Sequence, residues 1–176
     1  IGCALLEANK PDLALKAFQK SLELKKHWNT YQGMGWALFR INQYQEASQS
    51  FKKAIEIKET WSSYKGIGLI HFEKRNHKLA LKMLEKSLAL AEKWDTRLKL
   101  GWTFYHLKQY HSAIQSFNKS LKHQNHWITH QGLGSSFFQI HQFQLAIEEF
   151  KKSLAIKEDA RTYQGLGSAL FKNNQF

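Results

Sequence analysis

Nine histidines and one cysteine are the residues from which a metal site or a nucleophile would have to be built in this chain. The tightest group is His123, His126 and His130. It straddles a predicted turn and has no cysteine or carboxylate beside it in sequence, whereas a zinc site draws three or four ligands from rigid elements. These are read as surface histidines, and no metal and no cofactor are expected. Cys3 stands alone, which excludes an intrachain disulfide and fits a reducing, cytoplasmic setting. Gly33-Met34-Gly35 and its copies look like the start of a phosphate loop. A dinucleotide fingerprint needs a preceding strand and a third glycine, and both are missing, so the glycines are assigned to helix packing. Glu148-Glu149 and Glu158-Asp159 pair carboxylates as acid–base chemistry would, but they read as solvated helix and turn charges. No Ser, His and Asp set can be placed in a pocket. No catalytic residue is expected, and the chain is not read as an enzyme.

Charge points outward to a partner. The 26 basic and 14 acidic residues give a formal charge of +12, which favours an acidic partner, nucleic acid or an anionic membrane. Only four of the basic residues are arginines, a dilute footprint for nucleic acid. No apolar run approaches the roughly 20 residues that span a bilayer, and no charged leader precedes an apolar run. Membrane insertion and a signal peptide are therefore not expected. Hydrophobic residues make up 43% of 176, enough for a continuous core. A single proline and the absence of Gly/Ser/Pro-rich stretches leave no linker. The chain reads as a piece of a longer protein.

The elements that position these residues are repeated. Trp28, Trp61, Trp94 and Trp127 recur every 33 residues, and such a period is the signature of stacked units. With each Trp as place 1, whole units run 28–60, 61–93, 94–126 and 127–159, flanked by partial units 1–27 and 160–176. Place 8 is Gly2, Gly35, Gly68, Gly101, Gly134 and Gly167; place 20 is Ala14, Ala47, Ala80, Ala113 and Ala146. Place 24 is Phe18, Phe51, Leu84, Phe117 and Phe150, and place 26 is lysine throughout, read as a solvated outer stripe.

Apolar and small residues at places 4, 7, 8 and 11, and again at 17, 20, 21, 24, 27 and 28, gather on one helical face each. Each unit is thus two helices. The spacing predicts helices near 1–9, 11–25, 28–41, 45–58, 61–74, 78–91, 94–107, 111–124, 127–140, 144–157 and 160–173. Place 15 lies between the two, where Asn9, Asn42 and Asn174 suit a left-handed residue. Small residues at places 8 and 20 are expected to let the helices of a unit approach. One pair cannot bury its apolar face alone, so the units stack.

This pattern resembles the tetratricopeptide repeat family over essentially the whole chain, with Tyr31-Met34-Gly35, Tyr44, Ala47, Phe51 and Ala54 as its fullest copy. The units depart from the usual 34 residues and Asp-Pro ending: they have 33, with turns such as Lys58-Glu59-Thr60. Trp at place 1 is expected to cover the shortened turn by packing on the preceding helix. The resemblance implies an all-α, right-handed superhelix of antiparallel helix pairs. It further implies a protein-interaction scaffold that takes a protein or peptide segment in the groove lined by the first helices.

Places 2, 5, 9 and 13 of those helices are expected to face the groove. They and their neighbours supply Asn29, Gln32, Trp36, Arg40, Lys65, Leu69, Lys99, Trp102, His106, Gln131 and Arg161 as candidate contacts. Glycines at place 6 (Gly33, Gly66, Gly132, Gly165) are expected to lower the groove wall. No two adjacent units reproduce the carboxylate-clamp arrangement of some relatives. Trp36 and Trp102 are the anchor candidates. Place 12 (Leu6, Phe39, Phe72, Tyr105, Phe138, Phe171) is divided between packing and ligand contact. Seven basic residues (Arg40, Lys65, Lys74, Arg97, Lys99, Arg161, Lys172) stand against Glu7, Glu73 and Asp95 on the first helices, so most of the positive surplus lies elsewhere. Two further readings are carried: a recruiting arm fused to a glycosyl- or sulfo-transferase domain, and a basic nucleic-acid-binding solenoid. End-to-end self-association through uncapped termini is also expected.

Overall fold

The turn between the two helices of a unit is set by one backbone residue. Asn9, Asn42, Arg75, Lys108 and His141, all at place 15, have φ between 56° and 62°, the left-handed conformation that ends a helix and frees the next to fold back. Asn174 departs from the expectation, with φ −82°. Arg, Lys and His occupy the other three left-handed turns although a side chain there is unfavourable; the turn geometry overrides the residue type.

The computed structural model describes residues 2–24 and 27–174. Among them are eleven α-helices and no strand: α1 (Gly2–Glu7), α2 (Pro11–Leu24), α3 (Trp28–Arg40), α4 (Tyr44–Ile57), α5 (Trp61–Glu73), α6 (His77–Leu90), α7 (Trp94–His106), α8 (Tyr110–Leu121), α9 (Trp127–Gln139), α10 (Phe143–Ile156) and α11 (Ala160–Asn173). Odd numbers are the first helices of the units and even numbers the second. From α4 to α10 the second helices start one residue before the expected position. The expected reach of α2 to 25 lies outside the described residues.

First helices begin on place 33. Thr60 Oγ1 accepts from Ser63 N–H and an Asp159 carboxylate oxygen from Thr162 N–H, while His126 Nδ1 accepts from Ile128 N–H. Each satisfies an N–H that a helix start leaves unpaired.

Two compact bodies result, residues 1–91 and 92–176. Within each, every helix packs on the next, and successive first helices also touch: α1 on α3 and α3 on α5 in one, α7 on α9 and α9 on α11 in the other. Ala14, Ala47, Ala80, Ala113 and Ala146 are wholly buried, as expected of the helix crossing.

The place-8 glycines from Gly2 to Gly134 lie against the second helix of their own unit, and a Cβ on Gly68 would stand 3.4 Å from the Leu84 backbone nitrogen. Phe51 is wholly buried, and its ring lies against both Gly35 of its own unit and Gly66 of the next. An ideal Cβ on Gly66 would stand 2.4 Å from two ring carbons. Phe18, Phe117 and Phe150 sit in the same way between Gly2 and Gly33, Gly101 and Gly132, and Gly134 and Gly165. Place 8 is thus a seat for the place-24 ring. Place 6 does not lower a groove wall, because the missing Cβ points at that ring and the site is filled. No described glycine has a positive φ, so the need is for space alone.

The place-1 tryptophans are anchored from the far end of their own units. Ser87, Ser120 and Ser153, near the ends of α6, α8 and α10, donate to the carbonyls of Trp61, Trp94 and Trp127 at 2.7, 2.8 and 2.9 Å. Lys58 and Lys157 lie over the Trp28 and Trp127 rings at 5.0 and 4.7 Å, within cation–π range. The carbonyls of Trp61, Trp94 and Trp127 and the rings of Trp28 and Trp127 are thus tied to the end of their own unit.

Candidate functional site

On the first helices of the N-terminal body, Gln32 and Trp36 are engaged by the next repeat, and Arg40 and Lys65 by the preceding one. Gln32 Oε1 accepts from Thr60 Oγ1 at 2.7 Å and from Ser63 Oγ at 3.2 Å, so it buttresses the start of α5. The Trp36 indole N–H donates to Ser62 Oγ at 3.0 Å. Its ring meets Phe51 edge-on with centroids 5.2 Å apart, and Phe39 at 5.9 Å. Lys65 Nζ lies 5.9 Å from the Trp36 centroid and 5.9 Å from that of Trp61. Arg40, exposed, reaches back to the Leu6 carbonyl and to the Asn9 side-chain oxygen just past α1, a cation at the negative end of the helix. Asn29 is exposed beside His27, and Leu69 is half-buried.

The C-terminal body repeats the scheme with different residues. Gln131 Nε2 donates to Asp159 and to Thr162 Oγ1 at 2.9 and 2.8 Å, as Gln32 bonds the start of α5. Trp102 packs edge-on against buried Phe117 (5.5 Å) and Tyr105 (5.5 Å), with the exposed His106 tilted over it at 6.5 Å. Lys99 is half-buried and Arg161 exposed. Between α9 and α11 a hollow of about 240 Å³ opens, lined by Tyr105, Ser135, Phe138, Gln139, Arg161 and Gln164. Burial, and then the neighbouring Tyr110, push the Tyr105 phenol up, while a hydrogen bond from Gln139 works against them. In α9 and α11 the expectation names only Gln131 and Arg161; the remaining places 9 and 13 of α9 and 5 and 9 of α11 are Ser135, Gln139, Gln164 and Ser168, which line the hollow.

Place 12 packs within its own unit. Phe39 meets Tyr44, Phe72 meets His77, Tyr105 meets Tyr110 and Phe138 meets Phe143, with centroids 5.4 to 5.6 Å apart. Phe171, in α11, is exposed.

Two family models, both described as tetratricopeptide repeat, match residues 29–60 and 95–123. The chain is built of tetratricopeptide repeats. Solved structures share the fold at low identity. A Cut9 and Hcn1 hetero-tetramer of the APC/C aligns with 20% identity and a TM-score of 0.87, covering 96% of this chain and 35% of that one. The chain therefore spans about a third of that relative's length. YrrB, described as a TPR protein with an unusual peptide-binding site, aligns with 22% identity and a TM-score of 0.76, over 98% of this chain and 88% of that one. MamA of Desulfovibrio magneticus gives 22%, 0.78, 89% and 90%. No curated protein sequence matches.

Outside the first-helix face, the tetratricopeptide repeats carry a polar pair at places 32 and 4 of successive units. Glu59 accepts from the Tyr64 phenol, Glu92 pairs with Arg97, and Glu158 accepts from Tyr163. The Glu59 bond, with burial, raises the Tyr64 phenol above its ordinary value. The Arg97 hydrogen bond lowers Glu92 against the opposing effect of burial. Lys53 and Lys86 at place 26 lie over the Tyr31 and Tyr64 rings at 5.8 and 5.2 Å, so this lysine stripe is exposed but not idle.

In the fourth whole repeat the set is exchanged. His130 hydrogen-bonds Glu149 at 2.6 Å and Asn125 at 2.8 Å, and Lys152 pairs with Glu149 at 2.6 Å. His130 and Glu149 are only 8% and 9% exposed. The readings of His130 as a surface histidine and of Glu149 as a solvated charge are corrected by this. Place 23 faces inward, and a carboxylate there must be paired. Burial pushes Glu149 up, but the His130 and Lys152 hydrogen bonds and charges outweigh it and hold it below the usual range. Among the described residues no group of three His, Cys, Asp or Glu side chains is placed to hold a metal, and no helix is long and apolar enough to cross a membrane.

Proposed function

We propose that this chain is a protein-interaction scaffold, not an enzyme, and that it takes a segment of a partner protein along the face of its first helices. One observation supports this above the others. Of the groups that suggested chemistry, His130, Glu149 and Asp159 are taken up by bonds within the protein, while Asn29 on α3 of one body and Arg161 and Gln164 on α11 of the other stay exposed on first helices. The described partner of the YrrB structure's site is a peptide, which adds weight by analogy. An extended segment would be held by such amide and cationic groups along its backbone, and the basic surplus favours an acidic one.

Trp36 and Trp102 are half core in this scheme, so their truncation mixes stability with binding. The test uses exposed residues instead. With a partner isolated on the intact chain, the variant Asn29→Ala/His106→Ala/Arg161→Ala/Gln164→Ala should lose at least tenfold in affinity. Lys52→Ala/Lys82→Ala/Lys151→Ala, on the second helices, should lose less than threefold. The reverse order would move the partner to the second-helix face. The chain as it stands is also proposed to self-associate through α11, where Tyr163, Leu170 and Phe171 are 51%, 41% and 63% exposed. Light scattering should show dimers at high concentration that Leu170→Lys/Phe171→Lys abolishes; a parent that stays monomeric would refute it.

A further inference from the structure

Successive first helices meet at corresponding places in both bodies, and one exchange of residues changes what lies between them. In α3 and α5, place 9 of the earlier helix is Trp36 and place 2 of the later one is Ser62. The indole reaches across, bonds the hydroxyl at 3.0 Å and fills the space. In α9 and α11 the same two places hold Ser135 and Arg161. With a serine where the other pair has an indole, the hollow of about 240 Å³ stays open, and a guanidinium stands at its rim.

The chemistry of this hollow is one-sided. Phe138 and the edge of buried Phe150 supply apolar surface; Arg161 and the Gln139 and Gln164 amides supply donors; no carboxylate lines it. The acids nearest Arg161 in sequence are engaged elsewhere. Asp159 accepts from Thr162 and Gln131, and Glu158 faces Tyr163. A guanidinium without a carboxylate beside it, next to apolar surface, fits a side chain that has methylenes and ends in a carboxylate.

We infer that this hollow is a subsite for a glutamate side chain of the bound segment, an assignment that rests on the first-helix face being the binding face. The methylenes lie on Phe138 and the carboxylate meets Arg161, with Gln164 beside it. The amide spectrum of the intact chain is followed on titration with acetyl-Ala-Ala-Glu-Ala-Ala-amide and with its Gln analogue. The Glu peptide should shift Ser135, Gln139, Arg161 and Gln164 and bind about fivefold more tightly than the Gln peptide, as one exposed ion pair provides.

Arg161→Gln should erase that preference. Arg75→Ala, which removes the same charge from a turn in the other body, should leave it intact. Ser135→Trp, checked for folding by circular dichroism, should fill the hollow and abolish the shifts. Equal binding of both peptides in the hollow overturns the carboxylate assignment and leaves the groove reading standing. Shifts confined to other residues, no shifts at all, or unchanged binding by Ser135→Trp overturn the subsite itself. Asn29→Ala/His106→Ala, which leaves Arg161 and Gln164 and the hollow untouched, judges the groove reading independently.

Discussion

Replacing Gly66 by alanine sets two effects of known size against each other. In the middle of a helix the change should stabilise by about 1 kcal/mol, because glycine is the poorer helix former. Here the added methyl would stand 2.4 Å from two carbons of the Phe51 ring and 2.8 Å from a third. That ring is wholly buried and already pressed on Gly35 from the other side, so it cannot swing away. Overpacking of this kind costs about 1–3 kcal/mol, and the net is a loss of about 1 kcal/mol.

Gly167 is the control. It occupies place 8 of α11, and a Cβ there meets nothing within 4 Å, so Gly167→Ala should gain up to about 1 kcal/mol. Urea unfolding followed by circular dichroism reads both. The two midpoints should move in opposite directions. In a double-mutant cycle with Phe51→Leu, Gly66→Ala should become less harmful by more than about 0.5 kcal/mol, beyond simple additivity. If Gly66→Ala instead raised the midpoint as Gly167→Ala does, or the cycle were additive, the ring-seat argument would be refuted.

Ala80→Leu and Ala113→Leu, at wholly buried crossings, should each lose about 1–3 kcal/mol in thermal melts; melts like the parent's would take place 20 away from the crossing. Lys108 has φ 59°, so Lys108→Gly should stabilise by up to about 1 kcal/mol by removing a left-handed side-chain penalty, and a destabilised variant would contradict the turn assignment. His71 sits at place 11, where other units carry Leu38, Phe104 or Phe137, and its buried Nδ1 has no described hydrogen-bond partner. Burial, then Lys74 and Lys52, lower its pKa from 6.5. Protonation therefore opposes folding: stability is full above pH 6.5 and falls as pH drops below it. His71→Leu should flatten that limb of a stability–pH curve, and an unchanged slope would show the histidine is not its source.

The helices were legible in the sequence because the period repeats the same packing demand at every unit, and five copies of Ala at place 20 outvote any local ambiguity. From α4 on the second helices start at place 17, two residues after the left-handed residue, as α2 does at Pro11. The one-residue displacement follows Asn42 as well as Arg75, Lys108 and His141, so the residue type at place 15 is not its cause. The binding face was legible as a set of places and much less so as a set of free side chains. Gln32 and Gln131 sit at a groove place, yet each is engaged by a residue 28 positions on, Thr60 and Asp159. That pairing follows from how one repeat is offset on the next, which the period alone does not give. His130 and Glu149 were misread for a related reason. Their pairing required Asn125, His130 and Glu149 to change together at three places, and each change taken singly looks like surface variation.

The Arg40 side chain bonds back to Leu6 and Asn9, over 34 and 31 positions, and Gln32 and Gln131 are bonded over 28 and 31. Each repeat is thus closed by groups no more than about one repeat away along the chain. Little loop entropy must be lost before such contacts form, and chains dominated by near-neighbour contacts fold fast. On a ribosome, a repeat of this protein has its packing partners as soon as the following 33 residues have emerged. Structure would then grow from the N-terminal end at the pace of synthesis, with only the newest repeat's apolar face open at any moment.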